Sequence, residues 1–222
     1  MGCVARHRWL LGSALLGVVA FGAVWLGYRL HWGVLERLDT AALSTAYSYG
    51  AARPGWIQAW DVFCTVLGPL GFRLLSLVII VVALVRRHFR AAGFVALSVL
   101  GSGVLTELVK AVAARPRPAT ALVHAPSTSF PSGHALGVMV GVLALLYLAW
   151  PRLRAPARGW LAVLGAMVIV LIGVGRVVLN VHHPSDVLAG WALGYAYFVL
   201  CVWVLPPVRA AAEEPAAPDI AR

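Results

Sequence analysis

The chain has 222 residues, 61% of them hydrophobic and 12% charged, with mean hydropathy +0.87 and formal net charge +10. Soluble domains carry about 45–50% apolar and about 25% charged residues, and a chain this short cannot hide so large an apolar excess from water. A soluble enzyme, a disordered chain and a nucleic-acid binder with a basic surface are all excluded; the composition is that of an integral membrane protein.

Charge-free apolar runs mark the spans in order. Residues 9–28 form a run of twenty, enough to cross a hydrocarbon core of about 30 Å at about 1.5 Å per residue. The run at 71–85 is interrupted by Arg73, so either Arg73 reaches the outer interface or the preceding stretch 60–70 lies partly in the surface. Four further runs follow at 91–106, 135–150, 159–175 and 187–208. The pattern predicts an all-α, polytopic bundle of six transmembrane helices forming one membrane-embedded domain. Within it, 1–60 supplies an anchor helix and an extracytoplasmic segment, 61–206 the catalytic core, and 210–222 a short disordered tail rich in Ala, Pro and Glu. The Arg6-His7-Arg8 start also suits a cleaved signal peptide. The run that follows is long and has no clear small-residue cleavage site, which favours a retained anchor.

The cations set the orientation. Of 18 cationic residues, all but Lys110 are arginine. Arg6 and Arg8 precede the first span, and Arg86, Arg87 and Arg90, then Arg152, Arg154 and Arg158, separate later spans on the same side. The positive-inside rule makes that side, and with it both termini, cytoplasmic. Such clusters suit anionic lipid rather than nucleic acid. The loops 110–133 and 176–186 fall on the other side yet hold Lys110, Arg115, Arg117 and Arg176, against the topological preference. Cys3, Cys64 and Cys201 have no metal-ligand spacing, and Cys64 and Cys201 are expected at opposite faces, beyond disulfide reach.

Those outer loops carry three segments: Lys110 to Pro118, Phe130-Pro131-Ser132-Gly133-His134, and Gly175 to Asp186. Pro131 suits the first turn of the following helix, leaving the amides near Ser132, Gly133 and His134 free to hold an anion. Pro184 plays the same part for the last span and puts Asp186 in its first turn, four residues from His182. Two helix starts and three cations at one place describe a phosphate pocket. A neutral imidazole beside a carboxylate can attack phosphorus, and a second imidazole can protonate the departing alkoxide. Cations then hold the charge on the equatorial oxygens. No metal or cofactor is expected.

The three segments resemble the signature of the type 2 phosphatidic acid phosphatase superfamily: Lys, six residues, Arg-Pro; Pro-Ser-Gly-His; and Ser-Arg, five residues, His, three residues, Asp. The resemblance implies His182 as nucleophile, Asp186 as its orienter and His134 as general acid. It implies Lys110, Arg117, Ser132, Gly133 and Arg176 as phosphate ligands. Gly175 stands where the family usually has Ser, a loss of one hydroxyl hydrogen bond. The resemblance covers about 61–206 and matches the family's membrane branch; the soluble haloperoxidase branch does not fit.

Other polar residues are weaker candidates. His7, His31, His88 and His124 are taken as ordinary interfacial residues, and His183 as a helix-start residue at the pocket's edge. Arg115 either steers an anion or is a solvated loop charge. Glu107, three residues before Lys110, is expected to pair with it. The nine tryptophans mostly sit near span ends, as interface anchors. The expected activity is metal-independent hydrolysis of a lipid phosphate or pyrophosphate through a phosphohistidine, at the outer face of a cell membrane. Phosphatidic acid, phosphatidylglycerophosphate and a polyprenyl pyrophosphate all fit. A phosphotransferase sharing the phosphohistidine and a non-catalytic lipid-phosphate binder are the alternatives, and the oligomeric state is open.

Overall fold

A computed structural model describes residues 3–207, with side chains from residue 8 onward. The tail at 210–222 and the side chains of Cys3, Arg6 and His7 lie outside the described residues. Among the described residues, nine α-helices run in chain order: α1 Cys3–Arg29, α2 Gly33–Gly50, α3 Pro54–Val66, α4 Pro69–Val85, α5 Phe89–Val95, α6 Gly101–Ala113, α7 Gly133–Ala149, α8 Ala155–Val178 and α9 Pro184–Val204. No strand occurs among the described residues. Six stretches of the described residues are long and apolar enough to cross a membrane: α1, α3 with α4, α5 with α6, α7, α8 and α9.

The second span is built from two helices, and the run at 71–85, Arg73 included, lies wholly within the second of them. Pro69 cannot continue α3, so the chain breaks at Leu67–Gly68 and restarts with Pro69 in the first turn of α4. Segment 60–70 is thus the end of α3, the break and the first two residues of α4, and α2 is an additional helix not anticipated as such within residues 29–61. Between α5 and α6 the rod loosens into one π-helical turn, Ala96–Leu100. The hydroxyl of Tyr197 on α9 donates to the Leu97 carbonyl there at 2.7 Å. In hydrocarbon, a backbone carbonyl released from the regular ladder needs such a donor.

Helix α7 is the hub, packed by α4, α6, α8 and α9, while α1 lies along α9. Val138, Val142, Ile169 and Ile172 fill one core, joined by Ile57 and Cys64 of α3. Phe94, Val95, Val99, Ala144 and Cys201 fill a second, nearer the other end. The remaining large apolar side chains, such as Leu15, Val78, Val163 and Trp203, stay exposed and form the lipid-facing belt. Close packing therefore depends on small residues rather than on hydrophobic exclusion. At the α7–α9 crossing, Gly190 and Gly194 face α7: a Cβ at 190 would lie 2.7 Å from the Ser132 carbonyl oxygen, and one at 194 would lie 2.9 Å from that of Leu136.

Backbone, unlike a side chain, cannot step aside. Gly194→Leu is therefore expected to lower the unfolding temperature in detergent by more than about 5 °C, followed by tryptophan fluorescence.

Candidate active site

One end of the bundle gathers the polar residues. Helix α6 ends with Lys110 in its last turn, and Ala114 takes a left-handed conformation (φ 48°) that swings the chain out of the helix. The loop that follows brings Arg115 and Arg117 back over the ends of α7 and α9. Helix α7 begins at Gly133, with Ser132 as its N-cap; the Ser132 hydroxyl accepts from the Ala135 amide at 3.4 Å, and the Ser132 amide donates to the Asp186 carbonyl at 2.9 Å. Pro131 thus precedes the cap instead of occupying the first helical turn. Between α8 and α9, Asn180 makes the turn with φ 54°, a conformation asparagine tolerates better than most residues. Its buried amide accepts from the Thr120 hydroxyl at 2.8 Å and donates to the Leu43 carbonyl at 3.2 Å. Three separate segments are thereby tied together.

His182 is buried (1% exposed), with its two ring nitrogens facing different partners. Nε2 lies 3.2 Å from Arg117 Nη1, and Nδ1 lies 3.6 Å from Asp186 Oδ2. The second distance is too long for a hydrogen bond, and Nδ1 has no other partner. Asp186 Oδ2 is meanwhile engaged by His183, accepting from its amide at 2.9 Å and meeting its Nδ1 at 3.1 Å. His183 therefore caps α9 and shares the carboxylate with His182. Burial, the largest influence, lowers the His182 pKa to about 4; Asp186 opposes the shift, while Arg176 and Arg117 add to it.

Arg117 donates from Nε to the Ser127 carbonyl at 2.6 Å and from Nη1 to the Val181 carbonyl at 2.7 Å. Burial, then the charge of Arg176, lowers its pKa without threatening its charge. Lys110 Nζ donates to Ser127 Oγ at 2.6 Å and lies 3.9 Å from Glu107, so the expected pairing exists but Ser127 is the nearer partner. Arg176 is buried, and its Nε has no hydrogen-bond partner. His134 lies within the electrostatic reach of Arg176, His182, Lys110 and Arg117, and a side chain at Gly68 would touch its ring. The eight residues expected from sequence therefore converge on one end of the bundle. Among the described residues, no cluster of His, Cys, Asp and Glu suits a metal ion.

One expectation needs correction, and one open position gains a physical setting. Arg115 is neither an anion-steering nor a solvated loop charge: it is 7% exposed and donates to Asp186 Oδ1 (2.7 Å), Ser185 Oγ (2.7 Å) and Asp39 Oδ2 (2.9 Å). Its guanidinium also covers the Tyr28 ring, 4.6 Å from the centroid. Gly175, in turn, has no room for a hydroxymethyl group. A Cβ there would lie 2.6 Å from Cys64 Sγ and 2.7 Å from Trp60 Cε3. Cys64 and Cys201 are both free thiols, as expected, but Cys64 is a packing residue of this site.

Asp39, Ser127, Ser185 and Trp60 were not singled out by sequence. Asp39 is 3% exposed and also accepts from the Ser185 amide at 3.0 Å. Its only signal was an acidic residue on the buried side of an otherwise amphipathic segment.

Comparison with known proteins points one way. A family model described as "PAP2 superfamily" matches residues 91–209. Phosphatidylglycerophosphatase B of Bacillus subtilis is 30% identical over 79% of this chain and 87% of its own length. An undecaprenyl-diphosphatase of Sulfolobus acidocaldarius is 42% identical over 41% of this chain and 44% of its own. A lipid A 1-phosphatase of Rhizobium johnstonii is 34% identical over 46% and 43%. The crystal structure of a transmembrane PAP2-type phosphatidylglycerolphosphate phosphatase from Bacillus subtilis superposes with a TM-score of 0.72, at 24% identity, covering 88% of this chain and 94% of that one.

Because Trp60 and Cys64 occupy the space beside residue 175, restoring the family's usual residue should not help. Gly175→Ser is expected to lower the unfolding temperature by a few degrees, the cost of an overpacked core being about 1–3 kcal/mol, and to leave phosphate release no faster than in the parent.

Proposed function

The chain belongs to the PAP2 superfamily and is a multi-pass membrane phosphatase, and from that premise we propose that it hydrolyses a lipid phosphate through a phosphohistidine on His182. The observation that carries the reading is the division of the His182 ring: Nε2 faces Arg117, and Nδ1 faces Asp186.

The substrate's terminal phosphate sits among Lys110, Arg117 and Arg176, with its oxygens also facing the free amides at the start of α7, where Gly133 lets them approach. Unscreened, these like charges repel; a phosphate between them relieves that repulsion and favours the transition state, in which charge spreads over the equatorial oxygens. His182 Nε2 attacks phosphorus in line. As the N–P bond forms and the P–O bond to the lipid breaks, the imidazole becomes cationic, and its Nδ1–H closes on the Asp186 carboxylate. Catalytic hydrogen bonds that are long in a free enzyme commonly tighten this way. His134 gives a proton to the departing lipid alkoxide, then takes one from the water that cleaves the N–P bond and releases phosphate. Ser132 holds the start of α7 in place, and its hydroxyl faces the same anion.

Arg115 and Asp39 act behind the carboxylate. The Arg115 guanidinium fixes Asp186 through Oδ1, which leaves Oδ2 for the two histidines. Asp39 fixes Arg115 in turn. The site lies at the end of the bundle opposite Arg86, Arg87, Arg90, Arg152, Arg154 and Arg158, which supports an extracytoplasmic active site with both termini inside.

The test is phosphate release by purified protein in detergent with EDTA, over a panel of lipid phosphates. His182→Ala is expected to abolish release; persistence of more than a few per cent overturns the nucleophile assignment. Only the neutral imidazole attacks, and His182 loses its proton above about pH 4. Its contribution to kcat/KM should therefore stay flat from pH 7 to 5 and fall as the medium is acidified through about pH 4. A break near the ordinary imidazole value that is absent in substrate ionisation and persists in His134→Gln would contradict this. Asp39→Asn is expected to lower kcat about tenfold with KM little changed, since the phosphate ligands are untouched.

A further inference from the structure

Arg73 lies outside the machinery described above. It sits one turn into α4, on an exposed face flanked by Leu74, Leu75 and Leu77. Among the described residues, it makes no side-chain hydrogen bond and has no carboxylate within 4 Å. A guanidinium facing hydrocarbon is costly, and where it persists a partner is expected.

Its position is fixed by α6. A Cβ on Gly103 would lie 2.6 Å from Arg73 Nη2 and 3.2 Å from its Cζ, so the guanidinium rests directly over that glycine. Gly103, Thr106, Glu107 and Lys110 lie on one face of α6 at helical spacing. Thr106 touches the start of α7, where a Cβ on Gly133 would lie 3.0 Å from its Cγ2. Lys110 is the phosphate ligand at the top of this stripe. On α4, Gly68 lies against the His134 ring, and Arg73 is about 7 Å further along the axis. Gly103 is about 10 Å along α6 from Lys110. Helix α4 packs on α5 and the π turn, yet hardly on α6. The seam between α4 and α6 is thus open toward lipid at its outer half, with a bare guanidinium one to two turns below the phosphate cluster.

We propose that Arg73 binds a second phosphate of the substrate. A lipid whose terminal phosphomonoester occupied the cluster would run its tails down the open seam. A phosphodiester separated from that monoester by a glycerol would lie between the two, at the depth of Arg73. This names the substrate class as a phospholipid carrying a phosphodiester between terminal phosphate and acyl tails. Phosphatidic acid has nothing to offer Arg73, and in a polyprenyl diphosphate the two phosphates are joined directly, leaving the second near Lys110. The inference rests on the phosphatase reading and refines it.

The experiment measures kcat and KM of Arg73→Gln on phosphatidylglycerophosphate, phosphatidic acid, a polyprenyl diphosphate and soluble p-nitrophenyl phosphate in detergent micelles. The expected result is a KM for phosphatidylglycerophosphate raised about tenfold, kcat within twofold of the parent, and the other three substrates unchanged within twofold. Arg73→Lys should recover most of the loss. Gly103→Ala, which pushes the guanidinium aside without removing its charge, should give a smaller loss on the same substrate. Equal losses on phosphatidic acid and phosphatidylglycerophosphate would make Arg73 a packing or bilayer-anchoring residue and overturn the proposal. A loss confined to the polyprenyl diphosphate, or none at all, would overturn it too. Failure of the underlying reading looks different: the parent protein would release phosphate from none of the lipids.

Discussion

The arrangement depends on one buried arginine shared by two carboxylates. Arg115 reaches Asp186 at 2.7 Å and Asp39 at 2.9 Å, with both acids almost wholly out of water. Removing either partner from such a buried pair typically costs about 3–5 kcal/mol, because it leaves an uncompensated charge behind. The three residues come from α2, the loop after α6 and the start of α9, so the pairing is also what holds those segments in register. With two carboxylates against one guanidinium, the network keeps a residual negative charge beside His182. In the proposed mechanism, that charge counters the nearby arginines and favours the imidazolium that forms when phosphorus is bound. The contact that secures the fold at this end would thus also prepare the proposed nucleophile.

The six spans were legible because each follows from a local rule, and the grouping of the eight candidate residues because they stand in three segments that resemble a family signature. An apolar run long enough to cross a bilayer can be counted, and Pro184 and Asp186 announce a helix start by their chemistry. Where those rules slipped, the cause was also local. Pro131 suits the first turn of α7 by its chemistry, but Ser132 has the side chain to cap that helix and takes the cap position. Arg73 stands out in the sequence because it interrupts an apolar run, whereas its resting place over Gly103 depends on how α4 meets α6.

What sequence did not disclose is the set of partners brought together by tertiary structure alone. Asp39 lies far along the chain from Asp186, and no spacing connects them. Arg115 sits beside Arg117 and looks like a duplicate of it, yet Ala114's left-handed turn sends one guanidinium inward to the carboxylates and the other to the ring of His182. Ser127, in a loop with no regular structure, supplies a hydroxyl to Lys110 and a carbonyl to Arg117. Each of these is a contact across more than one element.

Gly175 shows how a departure from a family pattern can be a packing decision. Judged by sequence, it was a missing hydroxyl beside Arg176. In the fold, the absent side chain is what allows α3 to close on α8, with the Trp60 ring and the Cys64 thiol resting on the bare backbone. That approach brings Asp61 into the electrostatic neighbourhood of Arg176. It also covers the apolar side of a buried guanidinium whose Nε has no hydrogen-bond partner. A serine here would offer one neutral hydrogen bond, worth about 0.5–1.5 kcal/mol. Its Cβ would also push apart a ring and a thiol already in contact with the backbone, at about 1–3 kcal/mol. The second figure is the larger, so in this protein glycine is the residue that lets α3 close on α8.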